Sequence, residues 1–398
     1  MTVSPATAAP AGPTAPEEQR VTWAELFFDL VWVFVITQIA GVLAHAHSAE
    51  GALKALVLFV PLWMGWVGAA LLGNAAGPHL DGAHGRLLIF ALAACGLGMS
   101  VAVPRAFGDD GVVFGSCYVL MRLILWQRMR RWPTFGGLRV EPFAVSLLVN
   151  GPLVLIGGLA AEETRLTLWG LAAVVEILGT AILGRRLDQV RFETSHLPER
   201  FGLFVILALG ETVVAAGANA SQAGADTPTL LTLGLAFSLI LLLWWTYFHY
   251  GAPAARHSLS SDPVQARVVR DVFSYAHLVY AIGIICMAVS LKVLLRAPLQ
   301  VPHELAGLLA APGAALYLGG FCYARRRMFG AVAVPRFTGA VLCVALSLLA
   351  PHVPLLVTVG AVVLVLGAVN GVEAWIVETG RPLPLVRLPK PLRSRAGD

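Results

Sequence analysis

The sequence predicts an all-α fold: a polytopic transmembrane helical bundle of about twelve spans, built as two parallel six-helix repeats with both termini in the cytoplasm. Three observations lead there. Hydrophobic residues make up 58% of the 398 positions and charged residues 13%, whereas a soluble domain is nearer half apolar and a quarter charged. The apolar residues gather in blocks of about 17 to 23, the length that crosses roughly 30 Å of hydrocarbon. The blocks are continuously apolar and do not alternate, which favours helices over the strands of a membrane barrel.

In chain order, residues 1–20 are rich in Ala, Pro and Thr, and no basic stretch precedes a short apolar run. A disordered leader followed by an uncleaved first span is therefore expected. Spans are expected at about 26–44, 53–73, 86–104, 111–127, 143–160, 166–184, 201–219, 229–249, 272–292, 304–322, 337–350 and 354–376. The eleventh is short and bounded by prolines. Two spans are interrupted, by Asn150-Gly151-Pro152 and by Ala311-Pro312-Gly313. These breaks do not correspond between the halves, so they read as kinks rather than a paired ion site.

Lys and Arg set the orientation. Of 28 such residues, 22 fall in loops and tails on one side, in runs such as Arg128, Arg130 and Arg131 or Arg325, Arg326 and Arg327. Lys54, Arg105, Arg165, Lys292 and Arg296 fall on the other side, and Arg122 lies inside a span. Positive loops stay inside, which places both termini in the cytoplasm. The halves are 21–184 and 201–376, joined by a basic linker at 185–200 and followed by a basic Pro/Arg-rich tail at 377–398. The tail suits the anionic inner leaflet. In each half the second span carries a tryptophan pair (Trp63 and Trp66; Trp244 and Trp245) and the last span a lone glutamate (Glu176; Glu373).

Several functional classes are excluded. The pI of about 9.1 comes from short basic loops, which topology explains without nucleic acid. Cys95, Cys117, Cys286, Cys322 and Cys343 all lie in apolar blocks and form no Cys-x-x-Cys pair, so they read as small buried hydrophobes. His45 and His47 lack a third metal ligand. There is no nucleophile elbow, phosphate loop or zinc helix, and no soluble domain to house an enzyme. No catalytic residue, cofactor or metal is expected.

What stands out is charge at membrane depth, which costs at least a few kcal/mol unless paired, hydrated or protonated. The stretch Glu199 to Gly217 is a span with Glu211 near its middle. Glu211 lies roughly 16 Å beyond Arg200, and eleven steps of about 100° return it almost to the same azimuth. Leu203, Phe204 and Leu207 fill that stripe. Glu25 and Asp29 are four apart on one helix face, where they form a cation or proton site or complement the helix dipole. Arg122 either snorkels along Leu123 and Trp126 or pairs with Glu176 or Glu211. Glu373 is a further carboxylate on an apolar helix. His277 is either a satisfied core histidine or a proton relay. Thr212 and Gly210, beside Glu211, would permit close helix packing. Trp244, Trp245, Tyr247 and Tyr250 read as an interfacial belt.

These residues also carry a family resemblance. Trp23-Ala24-Glu25-Leu26-Phe27-Phe28-Asp29-Leu30-Val31, the Glu199 to Gly217 stretch and Trp244-Trp245-Thr246-Tyr247-Phe248 resemble three signatures of the bacterial low temperature requirement A protein family. The likeness covers roughly 20 to 376. It implies a multi-pass protein of the bacterial inner membrane, from a family named for growth in the cold. It also implies that Glu25, Asp29, Arg200, Gly202, Gly210 and Glu211 are the family's polar signature residues. A more partial likeness runs to the lysosomal two-repeat potassium channels. Their first span has Phe-Ser-Asp where this chain has Phe27-Phe28-Asp29, and Trp23 stands where they carry an arginine.

The intramembrane inventory of Asp29, Glu176, Glu211 and Glu373 against Arg122 is net negative, which favours protons or cations. The expected function is a proton- or cation-coupled secondary transporter of the plasma membrane, acting on a small ion or solute within the lipid bilayer. Its expected pathway residues are Glu211, Asp29, Glu25, Arg122, Glu176, Arg200, His277 and Glu373. The alternatives are a passive cation channel and a non-transporting scaffold or sensor that supports growth in the cold.

Overall fold

The computed structural model describes residues 19–131, 142–183, 188, 190–224 and 226–387. The leader to residue 18, parts of the linker (184–187 and 189) and the tail beyond 387 lie outside them, with Arg139, Arg185, Arg186, Lys390, Arg393 and Arg395.

Twelve long helices run through the described residues: α1 Trp23–Ala44, α2 Ala49–Ala76, α3 Ala83–Ala102, α4 Gly111–Met129, α5 Pro142–Leu159, α6 Glu162–Leu183, α7 His196–Ala223, α8 Thr227–Ser261, α9 Gln265–Arg296, α10 Ala310–Phe329, α11 Val334–Leu349 and α12 Leu355–Glu378. Among the described residues, eleven helices are long and apolar enough to cross a membrane. The remaining one is α10, which fills the expected tenth position but is rich in Ala and Gly and ends in Arg325, Arg326 and Arg327. The short eleventh helix is among the eleven.

Helix starts follow their sequence. Thr22 caps α1 in a capping box: its side chain accepts from Glu25 N–H, and the Glu25 carboxylate accepts from Thr22 N–H. Ser48 and Asp226 cap α2 and α8 by side chain alone, accepting from Gly51 and Thr229 N–H. The Ala311-Pro312-Gly313 break falls in the first turn of α10, where proline costs no hydrogen bond. Pro152 follows a π turn, Ser146–Asn150, inside α5. Two more π segments interrupt α8 (Thr246–Gly251) and α9 (Val269–Ala276).

Packing gives a largely similar neighbour pattern in the two sets of six, although among the described residues the α2–α4 and α10–α12 contacts have no counterpart. Helix α1 packs on α2 and α3, α2 on α3 and α6, α3 on α4, α4 on α5, and α5 on α6. Adding six to each number reproduces the second set: α7 on α8 and α9, α8 on α9 and α12, α9 on α10, α10 on α11, and α11 on α12. The sets meet where α1 packs on α7 and α9, and α2 on α7. Helices α2 and α9 are the most enclosed, with 89% and 78% of their most apolar stretch buried, against 22% for α11. Helices α9 and α10 cross backbone to backbone: a Cβ at Gly283 would sit 2.7 Å from the Gly313 carbonyl oxygen. After α12 the chain returns as a strand, Leu385–Arg387, antiparallel to Ala331–Ala333 at the turn between α10 and α11.

Candidate functional site

The charges singled out in the sequence fall into four separate groups, and each carboxylate in them has a cationic partner; buried Asp271, paired with Arg270 and Arg327, forms a further group. The first group lies where α1 and α7 begin. Glu25, Asp29, His196 and Arg200 are all buried there. Arg200 Nη2 donates to Asp29 Oδ1 at 3.0 Å, and Trp66 Nε1 donates to the same oxygen at 2.9 Å. Glu25 Oε1 lies 3.2 Å from His196 Nε2 and 3.8 Å from Arg200 Nη1. The Arg200 guanidinium sits between the rings of Phe28 and Trp66, with centroids at 5.9 and 5.7 Å. Phe201, Phe204 and Trp63 pack around Trp66. A Cβ at Gly73 would overlap Glu25 Oε1, so α2 needs glycine to admit the carboxylate. This is a closed box of charges walled by aromatic rings.

The second group joins α4, α5 and α6. Arg122 Nη2 and Asn150 Nδ2 both bond the Glu176 carboxylate, Ser146 Oγ donates to it at 3.0 and 3.1 Å, and Tyr118 Oη at 3.4 Å. Arg122 Nη1 also donates to the Met64 carbonyl at 3.2 Å. Of the two partners open to Arg122, the structure selects Glu176. The π turn explains the geometry: the extra residue turns both Ser146 and Asn150 onto Glu176. A narrow cavity of ≈ 90 Å³ reaches Arg122 and Glu176 from the side of Arg270.

The third group holds Glu211. Lys292 of α9 approaches Glu211 Oε1 at 3.4 Å, and Glu211 Oε2 is buried with no hydrogen-bond partner. Both residues line a groove of ≈ 580 Å³ bounded by α1, α7 and α9. The groove runs from Gly210 and Glu211 to Asn219 and Arg296, which hydrogen-bond at 2.9 Å. Its flanks, Ile206 and Val214, are exposed apolar residues. The predicted stripe of α7 is observed: Arg200 and Phe204 face α1 and α2, while Leu207 and Glu211 continue it into the groove. Gly210 is not at a tight crossing, because a Cβ there would meet nothing within 4 Å. The Thr212 hydroxyl bonds the Ala208 carbonyl of its own helix at 3.0 Å.

The fourth group is a bidentate pair. Arg336 Nε and Nη2 donate to Glu373 Oε1 and Oε2 at 2.7 and 2.8 Å. Nearby, His277 is a satisfied core histidine: its Nδ1 is 2.9 Å from the Val272 carbonyl and its Nε2 2.8 Å from Tyr247 Oη. The carbonyl can only accept, which puts the proton on Nδ1 and leaves Nε2 to accept from the tyrosine. Tyr247 is therefore core, not part of the interfacial belt, whereas Trp244 and Trp245 are exposed as a belt requires.

Asp29, Arg122 and Glu211 thus face three different surroundings rather than one cavity. The net-negative inventory also changes, since Arg200, Lys292 and Arg336 neutralise carboxylates that had no assigned partner. In the sequence, Lys292 and Arg336, like Arg200, read as loop charges that set topology. Both lie inside helices, and only the rotation of those helices reveals that they point inward. His196 carried no signal beyond its residue type, and Trp66 was marked only as one of the tryptophan pair of the second span. Among the described residues no group of three or more His, Cys, Asp or Glu side chains could hold a metal ion. All five cysteines are free thiols, and only Cys117 is not fully buried.

Comparison with known proteins places this architecture in a family. A model described as the bacterial low temperature requirement A protein (LtrA) matches residues 20–370. An uncharacterized protein of Rhizobium meliloti (strain 1021) is 28% identical over 321 residues, covering 78% of this chain and 78% of that protein. No solved structure matches.

Proposed function

The chain belongs to the bacterial low temperature requirement A protein family, and we propose that it is a proton- or cation-coupled secondary transporter, not an enzyme, with Glu211 as its coupling carboxylate. The observation that carries this reading is the Glu211–Lys292 pair in its groove. At 3.4 Å the contact is long for a charge-assisted hydrogen bond, which is usually about 2.7–2.9 Å. The second oxygen, Oε2, has no partner, and Glu211 lines the groove. A proton or cation at Oε2 competes with Lys292 for the carboxylate. Occupancy of Glu211 and release of the ammonium are then two sides of one exchange, a local charge change that can bias a larger motion.

The repeated neighbour pattern supports the larger motion: two parallel six-helix halves that rock against each other at the α1, α2, α7 and α9 contacts. The bias of Lys and Arg supports a plasma-membrane orientation with both termini in the cytoplasm. In that orientation the Asn219 and Arg296 end of the groove faces outward.

Vesicles reconstituted with the protein and loaded with pH- or potassium-reporting dyes test the reading. Wild-type protein should carry protons or potassium, and Glu211→Gln should abolish the flux while still inserting as a monodisperse protein. Saturating single-channel currents without proton coupling would favour a passive channel instead. A non-transporting scaffold or sensor is the second reading, favoured by the fact that every deep carboxylate in the four groups has a cationic partner. It predicts that Glu211 can be neutralised with no loss of growth in the cold.

A further inference from the structure

Between α8, α9, α10, α11 and α12 lies a pocket of ≈ 250 Å³. It sits where α10 and α12 end and α11 begins. Its walls are largely apolar and aromatic, with Tyr280, Phe321, Met328 and Ile376 among them. Three guanidinium groups line it, Arg325, Arg336 and Arg381, against one carboxylate, Glu373. Both oxygens of Glu373 are taken up by Arg336. Arg325 and Arg381 have only ring contacts, with Phe329 at 5.4 Å and Trp375 at 4.4 Å, and among the described residues neither makes an ion pair. Guanidinium groups thus outnumber carboxylates three to one among the lining residues, with Glu378 a further carboxylate near Tyr250. Two buried polar atoms of its lining residues, Tyr250 Oη and Arg325 Nε, have no hydrogen-bond partner. Buried polar atoms are normally bonded, and the exceptions call for an explanation.

We propose that this pocket binds a small amphiphilic phosphate. The phosphate is held by Arg325, Arg381 and the Tyr250 hydroxyl, and its apolar body rests against Tyr280 and Phe321. Guanidinium groups match phosphate oxygens in a planar fork, and the aromatic walls suit an apolar body. The volume lies below the roughly 300–1,000 Å³ of drug-sized sites, so the bound portion is small. The phosphate can belong to a soluble monoester or to the headgroup of an anionic lipid, whose recognition by basic pockets between helices follows the same chemistry. The site shares no residue with the Glu211 groove and does not rest on the transport reading.

Full-length protein in detergent would be titrated with phenyl phosphate by calorimetry. In parallel, protein in nanodiscs of mixed phosphatidylglycerol and phosphatidylcholine would be extracted and its retained lipid measured. Arg325→Gln and Arg381→Gln should each weaken phenyl phosphate binding at least about tenfold, whereas Arg130→Gln, at the end of α4, should leave it unchanged. If phenyl phosphate does not bind, but wild type and Arg130→Gln retain phosphatidylglycerol that the two pocket variants lose, the site takes a lipid headgroup. Should an arginine variant fail to fold, Tyr250→Phe removes the hydroxyl alone and should lower the same binding. Absence of both ligands, or binding indifferent to all three pocket substitutions, would overturn the proposal.

Discussion

On one stripe of α7, Arg200 and Glu211 meet opposite surroundings. Arg200 is fully enclosed, bonded to Asp29 at 3.0 Å and flanked by Phe28 and Trp66. Glu211 borders an open groove, meets a partly exposed lysine at 3.4 Å and keeps one oxygen free. Both are acid–base pairs across the α1, α7 and α9 contact and both leave buried polar atoms unbonded, Asp29 Oδ2 and Arg200 Nη1 in one and Glu211 Oε2 in the other, but only the second lines a groove. A pair enclosed by aromatic rings fixes where two helices begin. A loose pair beside a groove can exchange its partner. The contrast separates charges that build this bundle from charges that can work in it.

The sharpest way to break the contrast is Arg200→Met. It leaves Glu25 and Asp29 buried without their main cation, and removing one partner of a buried pair costs about 3–5 kcal/mol. The variant should fail to accumulate as a monodisperse protein, as measured by size-exclusion chromatography of membrane extracts. A well-folded Arg200→Met protein would mean that the box is not structural. Asp29→Asn is milder, because its amide oxygen can still accept from Trp66 Nε1. It should lower stability by about 1–3 kcal/mol, seen in thermal unfolding, and leave the identity of the transported ion unchanged. Gly210→Ala should move stability by no more than about 0.5 kcal/mol, since a Cβ there meets nothing within 4 Å. A large loss would show that the groove closes tightly on Gly210 in another state.

The sequence made some of this legible and hid the rest for definite reasons. Span positions could be read because hydrocarbon thickness fixes the length of an apolar block. The α7 stripe could be read because helical periodicity alone places Arg200, Phe204, Leu207 and Glu211 on one side. The depth of Arg122 left snorkelling to the interface and pairing with Glu176 or Glu211 both open. The partners of Glu211 and Glu373 could not be read. Lys292 sits 81 residues from Glu211 and Arg336 sits 37 from Glu373, and one sequence does not set the rotation of one helix against another. The π turn at Ser146–Asn150 was visible only as an Asn-Gly-Pro interruption, with no sign that it delivers two donors to Glu176. The belt reading of Tyr247 failed because an aromatic residue near a helix end can turn either way, and His277 drew this one inward.

The most direct test of the account is flux through vesicles carrying Glu211→Gln, run beside wild type with thermal unfolding of both. The amide oxygen introduced by Glu211→Gln can still accept from Lys292, so the variant should keep a cooperative unfolding transition while proton or cation flux falls to the level of empty vesicles. Flux equal to wild type in a folded Glu211→Gln protein would contradict the account.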